Sequence, residues 1–83
     1  TRREVENRRI SNRVREITVE VEVRNRKETA ASVDVVERVF FGDWEITQST
    51  HKHERLDART AQFSVTLGPD ETETIRYTAR FRG

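Results

Sequence analysis

Residues 14–24 read VREITVEVEVR, and this stretch decides the fold class. Apolar residues occupy every second position from Ile17 to Val23, and threonine or glutamate fills the positions between them. An α-helix needs apolar residues at positions i, i+3, i+4 and i+7, whereas strict alternation places the two sets on opposite faces of a β-strand. We therefore predict a strand over residues 14–24 that buries one face.

The same alternation recurs further along the chain. It is clear in AQFSVTL at 61–67 and in IRYTARF at 75–81, and a shorter version includes Trp44 and Ile46. Each of these segments has an apolar set at every second position, so each is predicted to be a strand with one buried face.

A further strand is predicted over residues 31–39, but its alternation is interrupted. Val33 and Val35 belong to one face, whereas Val36 and Phe40 belong to the other. A change of parity within a strand is typical of an extra residue in the pairing or of a local bend. We therefore expect a β-bulge or a bend near Val36.

Polar segments separate the predicted strands. Residues 25–29 and 42–43 have turn composition, and the GPDE sequence at 68–71 predicts a tight turn in which proline fixes φ and glycine relieves steric strain. Residues 48–59 show no period and are predicted to be an exposed connection. Residues 1–13 are predicted to be a charged arm or a loosely paired first strand.

Together these segments predict an all-β fold, a small antiparallel β-sandwich of five to seven strands with an immunoglobulin-like arrangement. Each strand has one apolar face, so two sheets must pack against each other to remove those faces from water. Residues 1–83 are expected to form one domain, and the lack of methionine indicates a piece of a longer protein. The large side chains predicted to fill the core are Trp44, Phe63, Tyr77 and Phe81.

The composition limits the function classes. The chain has 83 residues, 37% of them charged, and a net charge of +1. It has no cysteine, so the sequence offers neither a disulfide nor a cysteine-based metal site. No apolar run approaches the roughly 18 residues that a membrane-spanning helix needs, so this segment is not expected to insert into a membrane.

The segments at 21–47 and 51–82 resemble the C-terminal part of the mucoidy inhibitor-like family, an uncharacterised bacterial domain family. The resemblance covers about residues 8 to 83, and it departs from the family pattern at Arg55, where a lysine is expected. The resemblance implies that the chain comes from the C-terminal end of a longer protein in a secreted or cell-envelope setting, and it gives no mechanism. The matching residues are Val23, Asn25, Lys27, Val36, Glu37, Arg38, Asp43, Trp44, Glu45, Ile46, His51, Leu56, Asp57, Ala58, Tyr77 and Thr78.

The only candidate metal ligands are His51, His53 and Glu54. Alternate residues of a strand share a face, so the two imidazoles could approach one ion. Zinc normally takes three or four protein ligands, and nothing else in the sequence completes the set. A histidine and a carboxylate could also transfer protons, but no nucleophile motif accompanies them. We predict a solvated loop here, with no catalytic residue, no metal and no cofactor.

The first fifteen residues contain six arginines and two glutamates, a charge of +4, whereas the rest of the chain has a charge of −3. An excess of positive charge attracts phosphate backbones. Nucleic-acid-binding domains usually combine it with aromatic residues, and residues 1–15 contain none. Nucleic acid is therefore not the expected partner.

Two function classes remain open. The expected one is a non-catalytic structural or protein-interaction module, whose unknown protein partner binds an exposed edge strand. The alternative is a ligand-binding or nucleic-acid-binding domain that uses the arginine-rich arm at 1–13 or the loop with His51 and His53.

Overall fold

The computed structural model describes residues 1–38 and 40–82. In this part of the chain there is no helix, and hence no helix able to span a membrane. Val39 lies in the strand predicted over residues 31–39 and Gly83 in the predicted domain, and both fall outside the described residues. The seven strands are β1 (Arg2–Arg9), β2 (Val14–Arg24), β3 (Ala31–Glu37), β4 (Asp43–Ser49), β5 (His53–Asp57), β6 (Thr60–Leu67) and β7 (Thr72–Arg82).

The strands form two antiparallel sheets, which confirms the all-β prediction. The larger sheet has the order β1-β2-β7-β4 and the smaller one the order β3-β6-β5. The two long alternating segments pair without interruption from Val14–Arg82 to Arg24–Thr72, so they form the centre of the larger sheet. Their inward residues are the apolar ones that the sequence pattern identified.

The core lies between the sheets and contains all four large side chains predicted for it. Phe40 stacks on Trp44 with ring centroids 4.1 Å apart, and Phe63 stacks on Tyr77 at 4.8 Å. The indole nitrogen of Trp44 donates a 2.7 Å hydrogen bond to the carbonyl of Ala58, so the polar end of the ring is also satisfied. The buried apolar residues are Val19, Phe40, Trp44, Ala61, Phe63, Val65, Leu67, Ile75, Tyr77, Ala79 and Phe81.

Two strands lie where the sequence pattern is weak. The predicted arm at 1–13 contains β1, and the predicted exposed connection at 48–59 contains β5. The second prediction is therefore wrong in part. Every residue of β5 is exposed, as is every residue of β1 except Val5. A strand without a buried face has no reason to alternate apolar and polar residues, so its sequence resembles a loop.

Of the β-bulge or bend predicted near Val36, the β-bulge is wrong. β3 pairs with β6 in regular register from Ala31–Leu67 to Glu37–Ala61. The change of parity arises because the inward residue after Val35 is Glu37, a buried carboxylate, while Val36 faces outward and is 40% exposed. Phe40 lies beyond the end of β3 and belongs to the core.

The turn at 68–71 uses a different residue from the one predicted to relieve strain. Asp70, not Gly68, has the positive φ of 55°. The Glu71 amide donates to the Gly68 carbonyl at 3.2 Å, which closes the turn. Asp tolerates this left-handed backbone better than most residues.

Candidate functional site

The inner face of β1 is polar and open to solvent. Its residues pair with the inward-facing residues of β2, so they point towards the smaller sheet. That sheet has only three strands, against four in the larger one, and it leaves this edge uncovered. The inward-facing residues of β1 are Arg2, Glu4, Asn7 and Arg9, and all four are exposed.

A groove with a volume of about 600 Å³ runs along this uncovered face to the end of the sandwich. Among the described residues that line it are five arginines and one carboxylate, Glu4, which gives a formal charge of +4. We call it the arginine groove. Its arginines are Arg2, Arg9, Arg13, Arg15 and Arg82.

Three of these arginines have no carboxylate partner among the described residues: Arg9, Arg13 and Arg15. The Arg9 guanidinium donates to the Ser11 carbonyl at 3.3 Å and to Oδ1 of Asn12 at 2.7 Å, both uncharged groups. Arg9 and Arg15 are also direct cross-strand partners on the same face. Like charges in this position destabilise a sheet, so the arrangement does not serve the stability of the fold.

On the outer face of the larger sheet, in contrast, arginines are paired with glutamates. Glu16 accepts hydrogen bonds from Arg80 at 2.6 Å and from Arg8 at 3.1 Å. The bond from Arg80, with a further bond from Arg8, lowers the pKa of the Glu16 carboxyl. Arginines on this face therefore have carboxylate partners, whereas Arg9, Arg13 and Arg15 in the groove have none among the described residues.

Glu20 has the same arrangement as Glu16. Its two oxygens accept from Arg3 at 2.8 Å and from Arg76 at 3.0 Å. The hydrogen bond from Arg3 is the main cause of a lowered pKa at the Glu20 carboxyl.

An exposed aromatic ring stands in the arginine groove. Phe41 is 66% exposed and stacks on Phe81 with ring centroids 5.1 Å apart and an angle of 22° between the rings. Phe81 is in turn the cross-strand partner of Arg15. The next residue, Gly42, has a φ of 63°, which glycine adopts without strain as the chain enters β4.

The sequence did not predict that the ring of Phe41 lies in a groove with Arg15, because the two residues are 26 positions apart along the chain. A signal was nevertheless present in the pair Phe40-Phe41. Adjacent residues of an extended chain point in opposite directions, so both rings cannot enter one core. Phe40 is 2% exposed and Phe41 is the one left outside.

The structure separates the candidate metal ligands. His51 precedes β5 and its Nε2 lies 2.8 Å from a carboxylate oxygen of Glu73, whereas His53 begins β5 and packs its ring 5.9 Å from that of Phe63. The two imidazoles therefore do not lie on one strand, which a shared metal site would have required. Glu54 pairs with Gln62, one position along β5 from His53. Within residues 1–38 and 40–82, no three histidine, cysteine or acidic side chains come together as metal ligands.

Four strands form the sheet edges, and three of them contain a break in register. The breaks lie between Glu4 and Glu6 in β1, in β4 between Ile46 and Gln48, and in β5 between Arg55 and Asp57. Bulges and inward charges are common means of preventing further strand pairing. β3 has neither a bulge nor an exposed inward charge, since its inward Glu37 is buried.

No family model matches this chain, and neither does any curated protein or solved structure. The resemblance to the mucoidy inhibitor-like family therefore stays a prediction from the sequence.

Proposed function

We propose that this protein is a non-catalytic binding module whose arginine groove takes an anionic partner. One observation carries the proposal: Arg9, Arg13 and Arg15 line one groove without a carboxylate partner among the described residues. Guanidinium groups bind phosphate and carboxylate oxygens through two parallel hydrogen bonds. An anionic partner would supply the charge that the groove lacks and would relieve the repulsion between Arg9 and Arg15.

The chemistry of the groove supports the non-catalytic part of the proposal. Arginine remains protonated under ordinary conditions and has no acceptor atom, so it holds anions and does not transfer protons. Four of the five groove arginines lie on strands, which positions their side chains for recognition.

The test is a titration of the purified domain with inorganic polyphosphate at low salt, in which isothermal titration calorimetry measures the binding. The double variant Arg13→Gln/Arg15→Gln should bind at least about tenfold more weakly, and the affinity of the unsubstituted protein should fall steeply as salt is raised. The matched control is Arg24→Gln/Arg26→Gln, which removes the same charge at the other end of β2.

The control variant should bind within about twofold of the unsubstituted protein, because its arginines lie outside the groove. Absence of polyphosphate binding would contradict the proposal. An equal loss in both double variants would also contradict it, because the effect would then follow net charge and not the groove.

A second candidate function is strand addition at β3, which the regular register of that edge favours. The simplest added strand is β3 of a second copy across a twofold axis. Sedimentation at rising protein concentration should then show a dimer, and Val36→Lys should shift the equilibrium to monomer. A monomer at all concentrations would exclude self-pairing.

For the fold type we propose an immunoglobulin-like arrangement, which the four-stranded and three-stranded sheets support. In constant-type immunoglobulin domains the fifth strand belongs to the larger sheet and the seventh to the smaller, and here β5 and β7 exchange these places. The secreted or envelope setting is proposed on the family resemblance alone.

A further inference from the structure

Building on the proposed function, we infer that the anionic partner of the arginine groove is a single-stranded nucleic acid. Its phosphates would bind Arg9, Arg13 and Arg15, and one of its bases would stack on the ring of Phe41. Proteins that bind single strands combine a positively charged groove with aromatic rings on which bases stack. The groove contains both features.

The strand pairing places these features in one line. Arg9 of β1 is opposite Arg15 of β2, which is opposite Phe81 of β7, and Phe41 stacks on Phe81. Neighbouring strands are about 4.8 Å apart, so the line from Phe81 to Arg9 spans roughly 10 Å. This length suits a few successive nucleotides, with the base at one end and phosphates along the rest.

The exposed ring of Phe41 favours nucleic acid over an acidic protein as the partner. Single exposed apolar residues are common on protein surfaces and need no explanation by themselves. This ring, however, is 66% exposed and lies in the same groove as Arg9, Arg13 and Arg15, which have no carboxylate partner among the described residues. Carboxylates of an acidic peptide would satisfy the arginines and leave the ring without a matching partner, whereas a nucleotide satisfies both.

The same geometry predicts a preference for single strands over duplexes. The bases of a duplex are stacked on each other and present only their edges, so none can cover Phe41 without being unstacked. An unpaired base has a free aromatic face, and stacking on aromatic side chains tolerates every base.

The test measures the fluorescence anisotropy of a labelled oligothymidylate of about twelve nucleotides at low salt. Competitors are unlabelled polyphosphate, a duplex of the same length and polyglutamate. The oligothymidylate should bind at least about fivefold more tightly than each competitor, because stacking adds to the charge interaction.

Phe41→Leu removes the aromatic face and keeps an apolar side chain. It should weaken oligothymidylate binding about fivefold or more while polyphosphate binding stays within about twofold. Phe41→Trp should retain or strengthen binding. Leu56→Ala is the matched control, since Leu56 is also an exposed apolar residue (46%) but lies on β5, outside the groove. Circular dichroism confirms that each variant is folded.

The outcomes separate this inference from the proposed function. Equal binding of oligothymidylate and polyphosphate, with no effect of Phe41→Leu, would overturn the inference and leave an anion-binding groove. Tighter binding of polyglutamate would overturn it in favour of an acidic protein. If none of the polyanions binds, the proposed function fails together with the inference.

Discussion

The hydroxyl of Tyr77 donates a 2.8 Å hydrogen bond to Oε1 of Glu37 and so connects the two sheets through the core. The same oxygen accepts from Nε of Arg2 at 2.8 Å. Tyr77 has no exposed surface and Glu37 is 7% exposed, so both partners are removed from water. A buried carboxylate is tolerated when it accepts hydrogen bonds and its charge is paired, and here Tyr77 and Arg2 donate to it while Arg2 pairs the charge.

Tyr77→Phe should lower the free energy of unfolding by about 1–3 kcal/mol, because it removes a hydrogen bond to a charged and buried acceptor. Urea unfolding of the variant and of the unsubstituted protein gives the difference. The double-mutant cycle with Glu37→Gln isolates the term shared by the two side chains. A Phe variant as stable as the parent would show that this contact contributes nothing.

Tyr77 should resist ionisation in the folded protein. Burial, reinforced by the hydrogen bond to Glu37, raises the pKa of its hydroxyl far above the ordinary value of 10.0. The folded state therefore favours the protonated form, and this stabilisation is present below pH 10 and is lost as the pH rises through the folded pKa. Tyr77 is the only tyrosine, so the absorbance of tyrosinate reports it directly.

Two measurements check the ionisation of Tyr77. At pH 10–11 the folded protein should show little tyrosinate, whereas the urea-unfolded chain should titrate near 10. Equal titration curves in the folded and the unfolded chain would contradict the buried contact.

Replacement of Asn25 by aspartate should destabilise the folded protein. Its Nδ2 donates to the carbonyls of Thr29 at 2.8 Å and Gly68 at 3.0 Å, and its Oδ1 accepts from the Lys27 amide at 3.0 Å. Asn25→Asp places a buried charge against carbonyl oxygens and should cost about 3 kcal/mol or more, whereas Asn25→Ala should cost about 1–3 kcal/mol.

Thermal unfolding measures both substitutions of Asn25. The matched control is Asn12→Asp in the exposed β1–β2 connection, where the new carboxylate would lie beside the Arg9 guanidinium and should not lower stability. If Asn25→Asp were as mild as the control, the turns at residues 25–29 and 68–71 would not depend on this amide.

Acid should remove the stability that Glu16 and Glu20 contribute on the outer face of the larger sheet. Hydrogen bonds from Arg80 and Arg3 keep the pKa values of Glu16 and Glu20 below the ordinary value of 4.5. A lowered folded pKa stabilises the protein above pH 4.5, and this contribution is lost as the pH falls through the folded value.

The double variant Glu16→Gln/Glu20→Gln tests this expectation. Its urea midpoint should fall less between pH 5 and pH 3 than that of the unsubstituted protein, because neither glutamine titrates. Glu28→Gln, in the exposed turn after β2, is the control and should keep the full decline. An unchanged decline in the double variant would show that the outer ion pairs do not contribute.

Local sequence pattern determined the strands that bury a face. Alternation predicted β2 with its observed bounds, and it identified β6, β7 and their inward residues because burial on one face requires a period of two. It could not identify β5, whose exposed residues need no such period. It also misread residues 35–37, because a glutamate satisfied by Tyr77 and Arg2 occupies an inward position.

The candidate site was decided by the tertiary structure. The sequence shows an arginine-rich segment without aromatic residues. Only the pairing of β1 with β2, and of β2 with β7, brings Phe41 and Phe81 beside those arginines. The physical reason is that the strand pattern is local in the sequence, whereas the groove is formed by residues that are distant in the sequence. Alternation reflects each residue's own exposure, whereas the groove depends on contacts between residues far apart in the chain and on a three-stranded sheet that leaves β1 uncovered.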